Sequence, residues 1–131
     1  MSIDTIGDFL TVIRNGIMVN RRSVTVPHSI MKENVAKVLK DEGYIQSFEV
    51  VAKGSKKALK IVLKYNRQGK NVINALKRIS TPGRHQYAGH QKLPKIQGGF
   101  GTAVISTSQG VMTDSSARQK KIGGEILCYI W

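Results

Sequence analysis

Between residues 50 and 113 this chain has no carboxylate side chain, although twelve lysines and arginines fall in the same stretch. The first 49 residues are balanced, with six basic and six acidic side chains. The last eighteen hold three and two, and the formal net charge is +13 over 131 residues. A solvated surface ordinarily mixes both signs. Sixty-four residues without an acid predict a face that meets a polyanion, with nucleic acid as the leading partner class. Membrane-surface binding and a bias towards solubility would give the same composition.

Other absences narrow the class further. The single cysteine, Cys128, excludes an internal disulfide and fits a reducing compartment. Its apolar surroundings make it a small buried hydrophobe rather than a reactive thiol. No stretch approaches the roughly eighteen apolar residues of a spanning helix. The start, Met-Ser-Ile-Asp-Thr-Ile, has no basic region and no apolar run of a leader, so the expectation is a soluble chain with no cleaved address. His28, His85 and His90 have no cysteine or carboxylate partner at metal-ligand spacing, and no metal or cofactor is expected. After residue 50 the only acids are Asp114 and Glu125, which read as a helix cap and the start of a strand. Ser106 and Ser108 lack the Gly-x-Ser-x-Gly frame of a nucleophile elbow. No catalytic residue is assigned, and the chain does not read as an enzyme.

An apolar content of 40% is ordinary for a folded protein, and the length suits one compact domain or two small ones. Ile6, Phe9, Leu10, Ile13 and Ile17 recur at helical spacing over residues 4–19, with Asp4 as the N-cap. Gly7 and Gly16 within that helix suggest close approach of a neighbour. A strand from Ser23 to Val26 stops at Pro27. Ser29 then caps a second helix that buries Ile30, Val35, Val38 and Leu39 and ends at Gly43. Tyr44 to Ala52 and Lys57 to Tyr65 read as a hairpin about Lys53-Gly54-Ser55-Lys56, the return strand alternating Leu59, Ile61 and Leu63 with Lys60 and Lys64.

Asn66 to Lys70 is the candidate linker. Beyond it, Val72 to Ser80 reads as a strand with Lys77-Arg78 exposed, followed by a Thr81-Pro82-Gly83 turn and a short strand about His85 to Tyr87. Residues 89–96 read as irregular. A strand from Thr102 to Ile105 comes next, then a short helix capped by Thr113 or Asp114, and a last strand from Glu125 to Trp131. The fold class is α+β, with two small domains. Residues 1–66 form an N-terminal α-β-α-β-β module, and residues 67–131 a mostly β C-terminal module with one short helix.

One stretch stands out, from Gly98-Gly-Phe-Gly101 through the apolar strand to Ser106-Thr107-Ser108-Gln109-Gly110. Its glycines precede a strand, whereas a dinucleotide loop places them between a strand and a helix, and no Gly-Lys-Ser or Gly-Lys-Thr lies nearby. They read as conformational glycines. The hydroxyl run suits A-form RNA, whose shallow minor groove displays 2′-hydroxyls. Short hydroxyl and amide side chains with open backbone donors can read that groove. Lys56, Lys57, Lys60 and Lys64 offer phosphate contacts, and Tyr87 offers a ring for an unstacked base. The competing reading of Ser-Thr-Ser is a turn whose hydroxyls satisfy one another.

These residues carry a family resemblance. Ser106 to Gly110, Met112-Thr113-Asp114, Ala117-Arg118 and the ending from Gly123-Gly124-Glu125 to Trp131 resemble the bacterial and plastid small-subunit ribosomal protein number eight. So do Asp4-Thr-Ile-Gly-Asp8, Ile13-Arg14-Asn15, Lys77-Arg78-Ile-Ser80 and Pro82-Gly83. The resemblance implies a two-domain ribosomal component, cytoplasmic or in a plastid stroma, that binds the central domain of 16S ribosomal RNA and supports subunit assembly. It implies RNA contacts at Ser106, Thr107, Ser108, Gln109 and Gly110 and at Gly123, Gly124 and Glu125. It places Tyr87 after the Pro-Gly turn, and adds secondary contacts from Arg14 and Asn15. Neighbouring small-subunit proteins are the implied protein partners. Some members of the family also bind their own messenger RNA and repress translation, which is the alternative function. The chain departs from the family at two places. His85 stands where an arginine is usual two residues before the tyrosine, with Arg84 one place earlier, and Gln109 replaces a common basic residue while keeping a donor and an acceptor.

Overall fold

The computed structural model describes residues 5–131, so the expected Asp4 cap lies outside the described residues. Helix α1 (Thr5–Met18) buries Ile6, Phe9, Leu10 and Ile13, the stripe that a 3.6-residue period aligns. Gly16 lets it lie close on the strand that follows, because a Cβ there would stand 2.5 Å from Val24 Cγ1. That contact offsets the propensity cost of about 1 kcal/mol for a helical glycine.

Strands β1 (Ser23–Pro27), β2 (Ile45–Lys53) and β3 (Lys56–Leu63) form an antiparallel sheet in the order β1-β3-β2. Leu59, Ile61 and Leu63 are buried on central β3, as the alternation requires. The β2–β3 turn is Gly54-Ser55, with Gly54 in the left-handed region at φ 63°, as tight hairpins demand.

Helix α2 (Ile30–Asp41) is capped by Ser29, whose Oγ accepts from the Lys32 backbone N–H at 3.1 Å. Its buried stripe is Lys32, Val35, Ala36, Val38 and Leu39. Ile30, expected inside, is instead 75% exposed. At about 100° per residue it stands roughly 200° around the helix from Lys32. Lys32 enters the buried stripe because its long stem packs while Nζ donates to the Pro27 carbonyl at 2.9 Å.

Two compact units divide the chain. The first is Asp8–Val72, and the second is Ile73–Trp131 with the start of α1 up to Gly7. Asn66 to Lys70, read from sequence as a linker, is a closed turn of the first unit. Asn66 Oδ1 accepts from the Gln68 and Lys70 N–H groups, and Tyr65 bridges to Asn71.

The second unit is built on β4 (Leu76–Arg78), β5 (Tyr87–Ala88), β6 (Thr102–Thr107), β7 (Gly110–Thr113) and β8 (Gly124–Ile130), with helix α3 (Asp114–Gln119). The sheet order is β4-β8-β6-β7, and β5 also pairs with β8. Ala103, Ile105, Met112 and Ile126 meet Ala117 of α3 and Leu93 and Ile96 of the preceding loop in one core.

Three details differ from the sequence reading. The expected strand from Val72 to Ser80 narrows to Leu76–Arg78, with single backbone bonds continuing from Ala75 to Trp131 and from Ile79 and Ser80 to Leu127 and Ile126. Arg78, expected to be exposed, is half-buried and donates from Nη1 to the Leu127 carbonyl at 2.7 Å. The segment after Gly110, read without a strand, forms β7. The α+β class and the single short helix of the second half stand as read.

Candidate nucleic-acid interface

The Ser-Thr-Ser stretch is the tip of the β6–β7 hairpin, in which Thr107 faces Gly110 across the ladder. Thr107 closes the turn. Its Oγ1 donates to the Gly110 carbonyl at 2.8 Å and accepts from the Gln109 N–H at 3.1 Å. Gly110, at φ 112°, takes a backbone conformation that L side chains rarely adopt. The self-satisfying turn foreseen as the competing reading therefore describes Thr107. The Ser106 and Ser108 hydroxyls and the Gln109 amide make no side-chain hydrogen bond among the described residues.

The glycine pair before Glu125 sets how closely the strands approach. A Cβ on Gly124 would lie 2.2 Å from the Ser106 carbonyl oxygen, and one on Gly123 would lie 2.3 Å from that of Ala88. The register then places Glu125 opposite Ser106 on one side and opposite Tyr87 on the other. Directly opposed residues of an antiparallel pair share a face with Cβ atoms about 5 Å apart. Ser106, Glu125 and Tyr87 thus form a row across three strands, with Tyr87 72% exposed. His85 joins the row, its Nδ1 standing 2.5 Å from Glu125 Oε2 and its ring centroid 6.1 Å from that of Tyr87.

The turn that carries Arg84 and His85 is held by Ser80. This buried residue accepts at Oγ from the Gln86 N–H at 2.9 Å and donates to the Gln86 carbonyl at 3.3 Å. Arg84 itself is exposed and forms an antiparallel bridge with Thr81. The remaining predicted contacts stand on the first unit. Arg14 and Asn15 are exposed on α1, and Lys56 and Lys57 are exposed at the start of β3.

Other parts of the sequence pattern are scaffold. Thr113 caps α3, its hydroxyl accepting from the Ser116 N–H at 3.0 Å. Buried Asp114 accepts from the Ala103 N–H at 3.1 Å through Oδ1 and pairs with Arg118 through Oδ2. Arg118 also donates to the Pro94 carbonyl at 3.3 Å. The glycine-rich approach is likewise conformational. Gly98 and Gly99 have φ of 64° and 99°, and a Cβ on Gly101 would stand 2.6 Å from Ile96 Cγ2. Burial pushes the Cys128 thiol up to about 12, against the opposing pull of the Arg78 charge, so it stays protonated and unreactive at neutral pH. Among the described residues no cluster of His, Cys, Asp and Glu could hold a metal ion, and no helix is long and apolar enough to cross a membrane.

Against known proteins, the profile of the family described as Ribosomal protein S8 matches residues 4–131. The chain belongs to this family. It is 50% identical over 128 residues to Small ribosomal subunit protein uS8 of Halothermothrix orenii, spanning 98% of this chain and 97% of that protein. It is 55% identical over 131 residues to Small ribosomal subunit protein uS8c of Pyropia yezoensis, spanning 98% and 97%. The uS8 of Thermodesulfovibrio yellowstonii is 46% identical over the full length of both chains.

Within this S8 chain, sequence reasoning missed the engagement of His85 with Glu125. The two are 40 positions apart, and no local pattern signals such a pair. Lys32 could have been found, because its i+3, i+4 and i+7 neighbours Val35, Ala36 and Leu39 are all apolar.

Proposed function

We propose that the chain is a structural, non-enzymatic component of the small ribosomal subunit, in a bacterial cytoplasm or a plastid. It binds the central domain of 16S ribosomal RNA directly, supports subunit assembly and neighbours other small-subunit proteins. Membership in a family whose relatives are named small ribosomal subunit proteins supports the ribosomal role. The observation that carries the RNA reading is the row of Ser106, Glu125 and Tyr87 beside an open hairpin tip. Two free hydroxyls and an amide supply donors and acceptors for 2′-hydroxyls and base edges, and the exposed phenol ring supplies a stacking surface.

In this reading the second unit is the principal RNA-binding domain. Arg14, Asn15, Lys56 and Lys57 of the first unit add phosphate contacts. Changing Ser106 and Ser108 together to Ala is expected to weaken binding to a central-domain hairpin of 16S ribosomal RNA by about 1–3 kcal/mol, leaving an unrelated duplex almost unaffected. Filter binding or calorimetry on both RNAs measures this, and an equal loss on the two would show that the tip recognises nothing.

A further inference from the structure

Glu125, itself half-buried, is the carboxylate of this row, and it lies between a serine and a tyrosine that the proposed function gives to RNA. An acidic group at that place repels phosphate unless something balances it. His85 is the group in position to do so, with Nδ1 at 2.5 Å from Glu125 Oε2. A carboxylate only accepts hydrogen bonds, so the contact fixes Nδ1 as the donor and leaves Nε2 as the second functional nitrogen. The imidazole is half exposed, at 51%, while the Glu125 side chain is at 21%. Nε2 makes no hydrogen bond among the described residues, and the ring that carries it lies 6.1 Å, centroid to centroid, from that of Tyr87.

Resting on the RNA reading of this site, we infer that His85 is a proton-linked positioning residue of the interface. In its neutral form Nε2 is an acceptor, which cannot bond a phosphate oxygen that is itself only an acceptor. When a proton from solvent binds there, Nε2–H becomes a donor and the ring becomes a cation that cancels the Glu125 charge. In both forms Nδ1–H keeps Oε2 occupied, so that Oε1 remains for a base amino group or a 2′-hydroxyl. Beside the pair stand the Tyr87 phenol on β5 and, next in sequence to His85, the exposed Arg84 of the turn, while Arg78 on β4 is held on the Leu127 carbonyl.

The test uses the full chain and a 16S central-domain hairpin, with Kd measured at about pH 8 and about pH 6, the range in which an imidazole ordinarily titrates. The unmodified chain is expected to bind roughly three- to tenfold more tightly at the lower pH. His85→Arg, a permanent cation, should bind tightly at both, and His85→Ala should bind weakly at both. A pH step that persists in both variants belongs to a group other than His85. If the unmodified chain binds with the same Kd at both pH values, or if His85→Ala keeps the full pH step, the His85 inference is overturned and the RNA reading stands. If the unmodified chain fails to bind the hairpin at either pH, both are overturned.

Discussion

Ser106 offers its carbonyl oxygen to the space that a side chain at position 124 would fill, only 2.2 Å from where the Cβ would stand. The neighbour is backbone inside a paired ladder, so it cannot swing aside as a flexible side chain would. Gly124→Ala should therefore part β6 from β8 where Ser106 and Glu125 face each other. The expected cost is about 1–3 kcal/mol, read as a lower urea midpoint, with RNA affinity falling alongside. An unchanged midpoint would mean that strand spacing at this point is not set by the glycine. The same scale shows how differently neighbouring hydroxyls are used. Thr107 spends its hydroxyl on the turn, whereas Ser106 and Ser108 leave theirs open.

At the scale of elements, α3 is short and could not persist alone, since isolated helices of even twelve residues are marginal. It is held by its cap on Thr113 and by Asp114, which reaches the β6 backbone and Arg118 at once. Removing one partner of such a pair strands the other, although partial exposure of Arg118 limits the cost. Asp114→Ala should destabilise the chain by about 2–3 kcal/mol in urea unfolding. Asp114→Asn should lose less, because an amide oxygen can still accept from Ala103. If the two variants were equal, the ion pair rather than the backbone bond would dominate. Helix α3 and the β6–β7 hairpin adjoin in sequence, so loosening the helix should also raise amide exchange in β7.

Over the whole molecule, charge and shape play separate parts. Twelve cations and no acid over residues 50–113 give attraction to any polyanion, while in the proposed function the open tip and its row supply the preference for one RNA. The binding constant should fall steeply with salt, with a log-log slope of about 0.7–0.9 per neutralised phosphate. Titrations of the unmodified chain between low and moderate salt check this, and a flat dependence would refute the electrostatic part. The double serine variant should keep the slope of the unmodified chain, because it removes no charge.

Periodicity and composition alone determined much of this protein. They determined the α+β class, the helices of the first unit, the alternation of β3 and the position of the hydroxyl run. These are properties of residues close in sequence, where helical and strand spacing, caps and turn glycines act locally. The tertiary structure decided the rest. It turned Gly110 to Thr113 into a strand, drew Lys32 inward while leaving Ile30 in solvent, and tied Arg78 to β8. It also chose which hydroxyls of Ser-Thr-Ser stay free, and it set His85 against Glu125. Arg78 and His85 meet partners 49 and 40 positions away, which become neighbours only when the sheet closes. Lys32 and Thr107 bond within five residues, where side-chain direction rather than periodicity decides the partner.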